Sequence, residues 1–117
     1  MEELRHKKCV PCEKGGKALE PDAIHELHHR VKGWDVVDHK EIKKTLSFID
    51  FKHAISFVQE VADLAEYEGH HPDLNIFGWN KLTITLSTHS VKGLTENDFI
   101  MAAKIDQLLA ESEEIEQ

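Results

Sequence analysis

The sequence predicts an α+β domain: a four-stranded, mainly antiparallel sheet with three helices on one face, in the order α-β-β-α-β-β-α. Apolar residues recur at helical spacing in three separate stretches, opening near Pro21, Asp50 and Thr95. Between them stand two pairs of β-prone runs, each pair interrupted by a short polar or glycine-containing segment. A chain of 117 residues is long enough for one such core and too short for two.

Helical order is expected to begin near Leu19, where Pro21 suits the first turn and Asp22 complements its positive end. Ile24, Leu27 and Val31 share one face, and the helix should end by Gly33. His25, His28 and His29 fall on the other side and read as solvated surface rather than a metal site. Trp34 to Val37 is β-prone, and Asp38, His39 and Lys40 have hairpin-turn composition. In the next run, Ile42 to Ile49, Ile42, Leu46 and Phe48 share one parity and Lys43, Thr45 and Ser47 the other, which predicts a half-buried strand.

Asp50 is a natural N-cap for the second helix. Phe51, Ala54, Ile55, Val58, Val61, Ala62 and Ala65 form its stripe, and Phe57 and Leu64, one heptad apart, lie off that stripe and suit a contact with another subunit. Gly69 is placed to end the helix in the left-handed region, and Pro72 prevents its resumption. Asp73 to Trp79 reads as a strand with a bulge at Gly78. Lys81 to His89 is the clearest strand, with Leu82, Ile84 and Leu86 on one face and Thr83, Thr85, Ser87 and His89 on the other. Thr95 can cap the last helix, with Asp98 as a short capping-box partner, and the acidic run Glu111 to Glu116 is expected to fray.

Apolar residues make up 40% of the chain and charged residues 31%, a globular profile, and no apolar run is long enough to cross a bilayer. The net charge of -8 and scattered lysines exclude a nucleic-acid surface. Met1 to Cys9 is charged and lacks the apolar core of a secretory signal, so the expected location is cytoplasmic. Cys9 and Cys12 are too few for a disulfide framework or a complete zinc site. Residues 1–18 are expected to form a flexible arm with incidental thiols, and residues 19–117 a single domain.

Chemistry concentrates between Glu66 and Asp98. His70 and His71, followed by Pro72, sit just beyond a helix end, where unpaired carbonyls favour a protonated imidazole. Glu66 precedes His70 by four residues, a spacing that can orient an imidazole but is also routine between solvated charges. His89 closes the polar face of the last strand. Free imidazole has its pKa near neutrality, and this residue type suits proton transfer in both directions.

Glu66, His70-His71-Pro72, Trp79, His89 and Asp98, at these intervals, resemble the signature of the pterin-4a-carbinolamine dehydratases. The similarity runs from about Leu19 through the last helix and includes Gly33-Trp34 and Leu86-Ser87-Thr88-His89. The resemblance implies a hydro-lyase that dehydrates a 4a-hydroxy-tetrahydropterin to the quinonoid dihydropterin in tetrahydropterin recycling. It implies His70, His71 and His89 as catalytic groups, and Glu66, Trp79, Ser87 and Thr88 as substrate-binding ones. Pro72 and Asp98 become structural members of the motif. No cofactor and no metal are called for, and the partners are a small-molecule pterin and further copies of the chain in a homodimer or homotetramer, with no nucleic acid and no membrane. The animal members that serve as dimerisation cofactor of a homeodomain transcription factor share this pattern. Two positions depart from it: Gly69 stands where some members carry an acid, and Asp73, Leu74 and Asn75 replace an aromatic after Pro72. Both departures bear on substrate side-chain preference. The alternatives are a non-catalytic pterin- or protein-binding module of the same fold, or a metal-binding protein using the three histidines.

Overall fold

The computed structural model describes residues 3–10 and 17–111. The elements run α1 (Pro21–His28), β1 (Asp35–Val37), β2 (Glu41–Ser47), α2 (Phe51–Glu68), β3 (Asp73–Phe77), β4 (Lys81–Leu86) and α3 (Glu96–Glu111). The four strands form one antiparallel sheet in the order β1-β2-β4-β3. This is the predicted α+β order.

Alternation along the strands decides which side is covered. Ile42, Leu46, Leu82, Ile84 and Leu86 are buried beneath the helices, and the register pairs Ile42 with Leu86 and Leu46 with Leu82 on that same face. The opposite face carries Thr45 and Thr83, whose hydroxyls lie 2.9 Å apart. Both hairpin turns use consecutive positive-φ residues, Asp38 and His39 in one and Gly78 and Trp79 in the other. Gly78 therefore belongs to a tight turn rather than a bulge, because β3 stops at Phe77 opposite Lys81.

The α2 helix starts as expected, with the Asp50 carboxylate accepting from the His53 amide at 2.8 Å. It ends at Gly69, φ 70°, whose amide donates to the Ala65 carbonyl at 2.8 Å. Its buried face differs from the expected one. Phe57 is fully buried, with its ring centroid 5.5 Å from that of Phe48, and Leu64 packs at the margin of the same core. Phe51 and Ile55 are the exposed apolar residues, at 52% and 44%. The core stripe is Ala54, Phe57, Val61 and Ala65, turned from the predicted one because a helix apolar on two sides leaves the packing partner to choose the orientation.

The N-terminal segment corrects the expectation of a flexible arm, at least over residues 3–10. A single 3-10 turn, Leu4–His6, inserts Leu4 into the core at 3% exposure. Val10 exchanges hydrogen bonds with the Asn97 side chain, at 3.0 and 2.6 Å, and Lys7 pairs with Glu96 at 2.8 Å. The expectations for Cys12 and for the acidic run beyond Glu111 lie outside the described residues.

Candidate active site

Two chain ends converge beside the last turn of α2. Gly69 stops the helix, and the chain turns through His70, His71 and Pro72 into β3. In the β3–β4 ladder Asp73 opposes Thr85. Continuing that register beyond the strand ends brings His71 level with Ser87 and His70 level with Thr88.

Asp98, in the first turn of α3, fastens this arrangement. Its side chain is fully buried. One carboxylate oxygen lies 2.7 Å from His70 Nε2. The other accepts from the Thr88 hydroxyl at 2.8 Å and from the Thr95 amide at 3.0 Å. The Thr95 bond is the capping-box contact expected from sequence, but the same carboxylate also holds an imidazole that is itself only 12% exposed. A buried carboxylate beside an imidazole fixes which ring nitrogen carries the proton and compensates positive charge on the ring. The Thr88 hydroxyl also lies 2.8 Å from that of Thr95. Thr88 is thus a buried strut of the site, and Ser87 beside it is half-buried.

The pairing of Glu66 differs from the expected one. Glu66 Oε2 is 2.5 Å from His71 Nε2, not His70, and both side chains are exposed, at 77% and 61%. The helix ends before residue 70, so the four-residue spacing no longer places Glu66 under that ring, and Asp98 takes its place. His89 is also displaced from expectation. β4 ends at Leu86, and His89 opens a 3-10 turn, His89–Val91, closed by the Thr88 amide donating to the Gly93 carbonyl at 2.7 Å. Its imidazole is exposed and has no hydrogen-bond partner among the described residues. It follows directly on Thr88, whose hydroxyl is bonded to Asp98.

Trp79 is not brought to this place. It sits in the β3–β4 turn, 62% exposed, at the far end of a five-residue strand from Pro72, which at ~3.3 Å per residue is about 20 Å away. Within one chain it lies too far away to stand beside His70.

Charged residues that sequence reasoning missed support the site from behind. Glu68, the last residue of α2, is buried, paired with Lys104 of α3 at 2.5 Å, and accepts from the Cys9 amide at 2.9 Å. Burial pushes its carboxyl up, but the Cys9 amide and the Lys104 ammonium outweigh this and hold it below the ordinary value. Burial, with Glu68 adding to it, pushes the Cys9 thiol up to about 12. Nothing in a Tyr-Glu-Gly helix end distinguishes a buried glutamate from a solvated one. Elsewhere, a groove of about 670 Å³ is lined by Leu4, Arg5, Arg30, Lys32 and Asp106 among others, and includes none of the predicted site residues.

Among the described residues no three His, Cys, Asp or Glu side chains are grouped to hold a metal ion, and no helix is long and apolar enough to cross a membrane.

Residues 17–108 match the family described as Pterin 4 alpha carbinolamine dehydratase. A protein of Rubrobacter xylanophilus, provisionally named a pterin-4-alpha-carbinolamine dehydratase, is 44% identical over 92% of this chain and 100% of its own. The mitochondrial pterin-4-alpha-carbinolamine dehydratase 2 of Arabidopsis thaliana is 44% identical over 95% of this chain and 62% of its own length. Among solved structures, a transcriptional coactivator/pterin dehydratase from Brucella melitensis superposes with a TM-score of 0.73 at 33% identity, covering 79% of this chain and 98% of that one. A pterin dehydratase-like protein described as a RuBisCO assembly factor in the alpha-carboxysome superposes with a TM-score of 0.53 at 27% identity, covering 69% of this chain and 92% of that one.

Proposed function

Because this chain belongs to the pterin-4-alpha-carbinolamine dehydratase family, we propose that His70, with Asp98 behind it, is the base of the dehydration and that the exposed imidazoles of His71 and His89 supply the acid. The substrate is a 4a-hydroxy-tetrahydropterin, and the products are the quinonoid dihydropterin and water.

The reaction needs a proton delivered to the departing hydroxyl and a proton removed from the adjacent ring nitrogen. The nitrogen lone pair expels water and a carbon–nitrogen double bond forms. With its Nε2 hydrogen donated to Asp98, His70 presents Nδ1 as the acceptor, and the buried carboxylate stabilises the imidazolium that results. Glu66, bonded to His71, orients that ring. Half-buried Ser87 can face the pterin, while buried Thr88 holds Asp98 in place. Acid–base groups of this kind contribute about 10²–10⁴-fold each.

The His70–Asp98 contact carries this reading, since a buried carboxylate held on three sides has no need of an imidazole merely to cap a helix. Dehydration of a freshly generated carbinolamine tests it. His70→Ala and His89→Ala are each expected to lower turnover at least about 100-fold with the fold intact, and normal turnover by both variants would overturn it. Pterin binding with no turnover by the parent chain would instead support a non-catalytic pterin-binding module of the same fold.

Self-association also belongs to this reading. Phe51 and Ile55 on α2 and Phe77 on the edge strand β3 are exposed apolar residues that suit a homo-oligomer, and a second copy is the natural source of an aromatic wall that Trp79 cannot provide in its own chain. The chain's -8 charge disfavours nucleic-acid partners.

A further inference from the structure

The α1 helix and its C-cap residue carry two exposed imidazoles one turn apart, His25 and His29. Their Nε2 atoms are 3.1 Å apart, and the rings meet edge to face, with centroids 4.5 Å apart and planes at 89°. The His29 amide donates to the His25 carbonyl at 3.3 Å, so the main chain itself holds the two side chains on one face.

Two ring nitrogens at this separation can share either a proton or a metal ion. Imidazole–metal bonds of about 2.0–2.1 Å subtend a nitrogen–nitrogen distance of roughly 3 Å in square-planar and tetrahedral centres, which matches the observed spacing. The surroundings favour a cation. Asp22 lies three residues before His25 on the same stripe and is exposed, and the nearby Arg30 is paired with Glu26 at 2.5 Å. His28 is excluded, because its Nε2 lies 2.5 Å from the Trp34 carbonyl oxygen. None of the groups assigned to the dehydration lies on α1.

We propose that His25 and His29 form a bidentate site for a late divalent transition-metal ion, with water completing its coordination, separate from the dehydratase centre. Neutral imidazole is a common ligand for such ions, and Cu²⁺ is bound most tightly among them by nitrogen donors.

Calorimetric titration of the full-length protein with Cu²⁺ alone, together with electron paramagnetic resonance of the one-equivalent complex, tests the site. The expected result is one preferred ion showing hyperfine coupling to two imidazole nitrogens. His25→Ala and His29→Ala should each weaken that ion's binding at least tenfold and leave coupling to a single nitrogen. Both positions are exposed, so the variants should match the parent in thermal melting and dehydration rate, which separates this proposal from the function proposed above. The chain has nine histidines, and a two-nitrogen signal that survives in the double variant would assign the copper to others and overturn the proposal. Unchanged affinity in both single variants, or the lack of saturable binding, would also overturn it.

Discussion

Asp98 holds His70 at 2.7 Å through one carboxylate oxygen, while the other is fixed by the Thr88 hydroxyl and the Thr95 amide. Asp98→Asn keeps the size of the side chain but removes the charge that steadies a protonated ring. Turnover should fall by roughly 10- to 100-fold with little change in KM. Asp98→Ala should in addition cost about 1–3 kcal/mol of stability, because the buried Thr88 hydroxyl and Thr95 amide lose their acceptor. Steady-state kinetics and urea unfolding separate the two effects.

The His71–Glu66 pair should behave differently. Both side chains are exposed, so Glu66→Gln is expected to change stability by less than about 1 kcal/mol. Any loss of dehydration rate in Glu66→Gln or His71→Ala therefore reports chemistry rather than unfolding. A shift in melting as large as that of Asp98→Ala would contradict this assignment.

Glu68 and Lys104 form a buried pair, and Lys104→Met leaves the carboxylate with only the more distant and exposed Lys8 ammonium, 3.9 Å away. The expected cost is about 3–5 kcal/mol, measured by denaturant unfolding. Because the folded-state value for Glu68 is depressed, its contribution is fully present above the ordinary carboxylate value of 4.5. It is lost as pH falls through the lower folded value. Glu68→Gln should flatten the acid side of the stability curve, and an unchanged slope there would refute the depression.

Cys9 is buried, and its thiol is pushed up to about 12, so little thiolate exists at neutral pH. In a Cys12→Ser background, where Cys9 is the only thiol, an aromatic disulfide reagent should label the native protein far more slowly than the unfolded chain. Equal rates would mean that the segment Leu4 to Val10 does not stay docked.

Phe57 and Phe51 distinguish the two sides of α2. Phe57→Ala is expected to cost about 3–5 kcal/mol because it empties the core. Phe51→Ser should leave monomer stability nearly unchanged and shift the proposed homo-oligomer toward smaller species in light scattering.

Local rules made much of this fold legible. Period-two alternation located β2 and β4, Asp50 and Gly69 marked the ends of α2, and Thr95 with Asp98 marked the start of α3. The orientation of α2 was not legible, because Phe51, Ile55 and Phe57 are equally apolar and only the position of Phe48 decides which ring is covered. At the site, the motif named His70, His71, His89 and Asp98, but spacing assigned Glu66 to the wrong imidazole, since a contact across 28 residues leaves no periodic trace. The docking of Leu4 and Cys9 was hidden for the same reason: their partners lie on α2 and α3, far along the chain.

The partner of His70 resides on the final helix, which sets an order on biosynthesis. A nascent chain that has emerged through the His89–Val91 turn already contains every strand and all three imidazoles, yet lacks the carboxylate bonded to His70. On the proposed roles, competence waits until Glu96 to Glu111 leaves the ribosome and docks. A chain cut short before that helix would keep its hairpins and forfeit its chemistry.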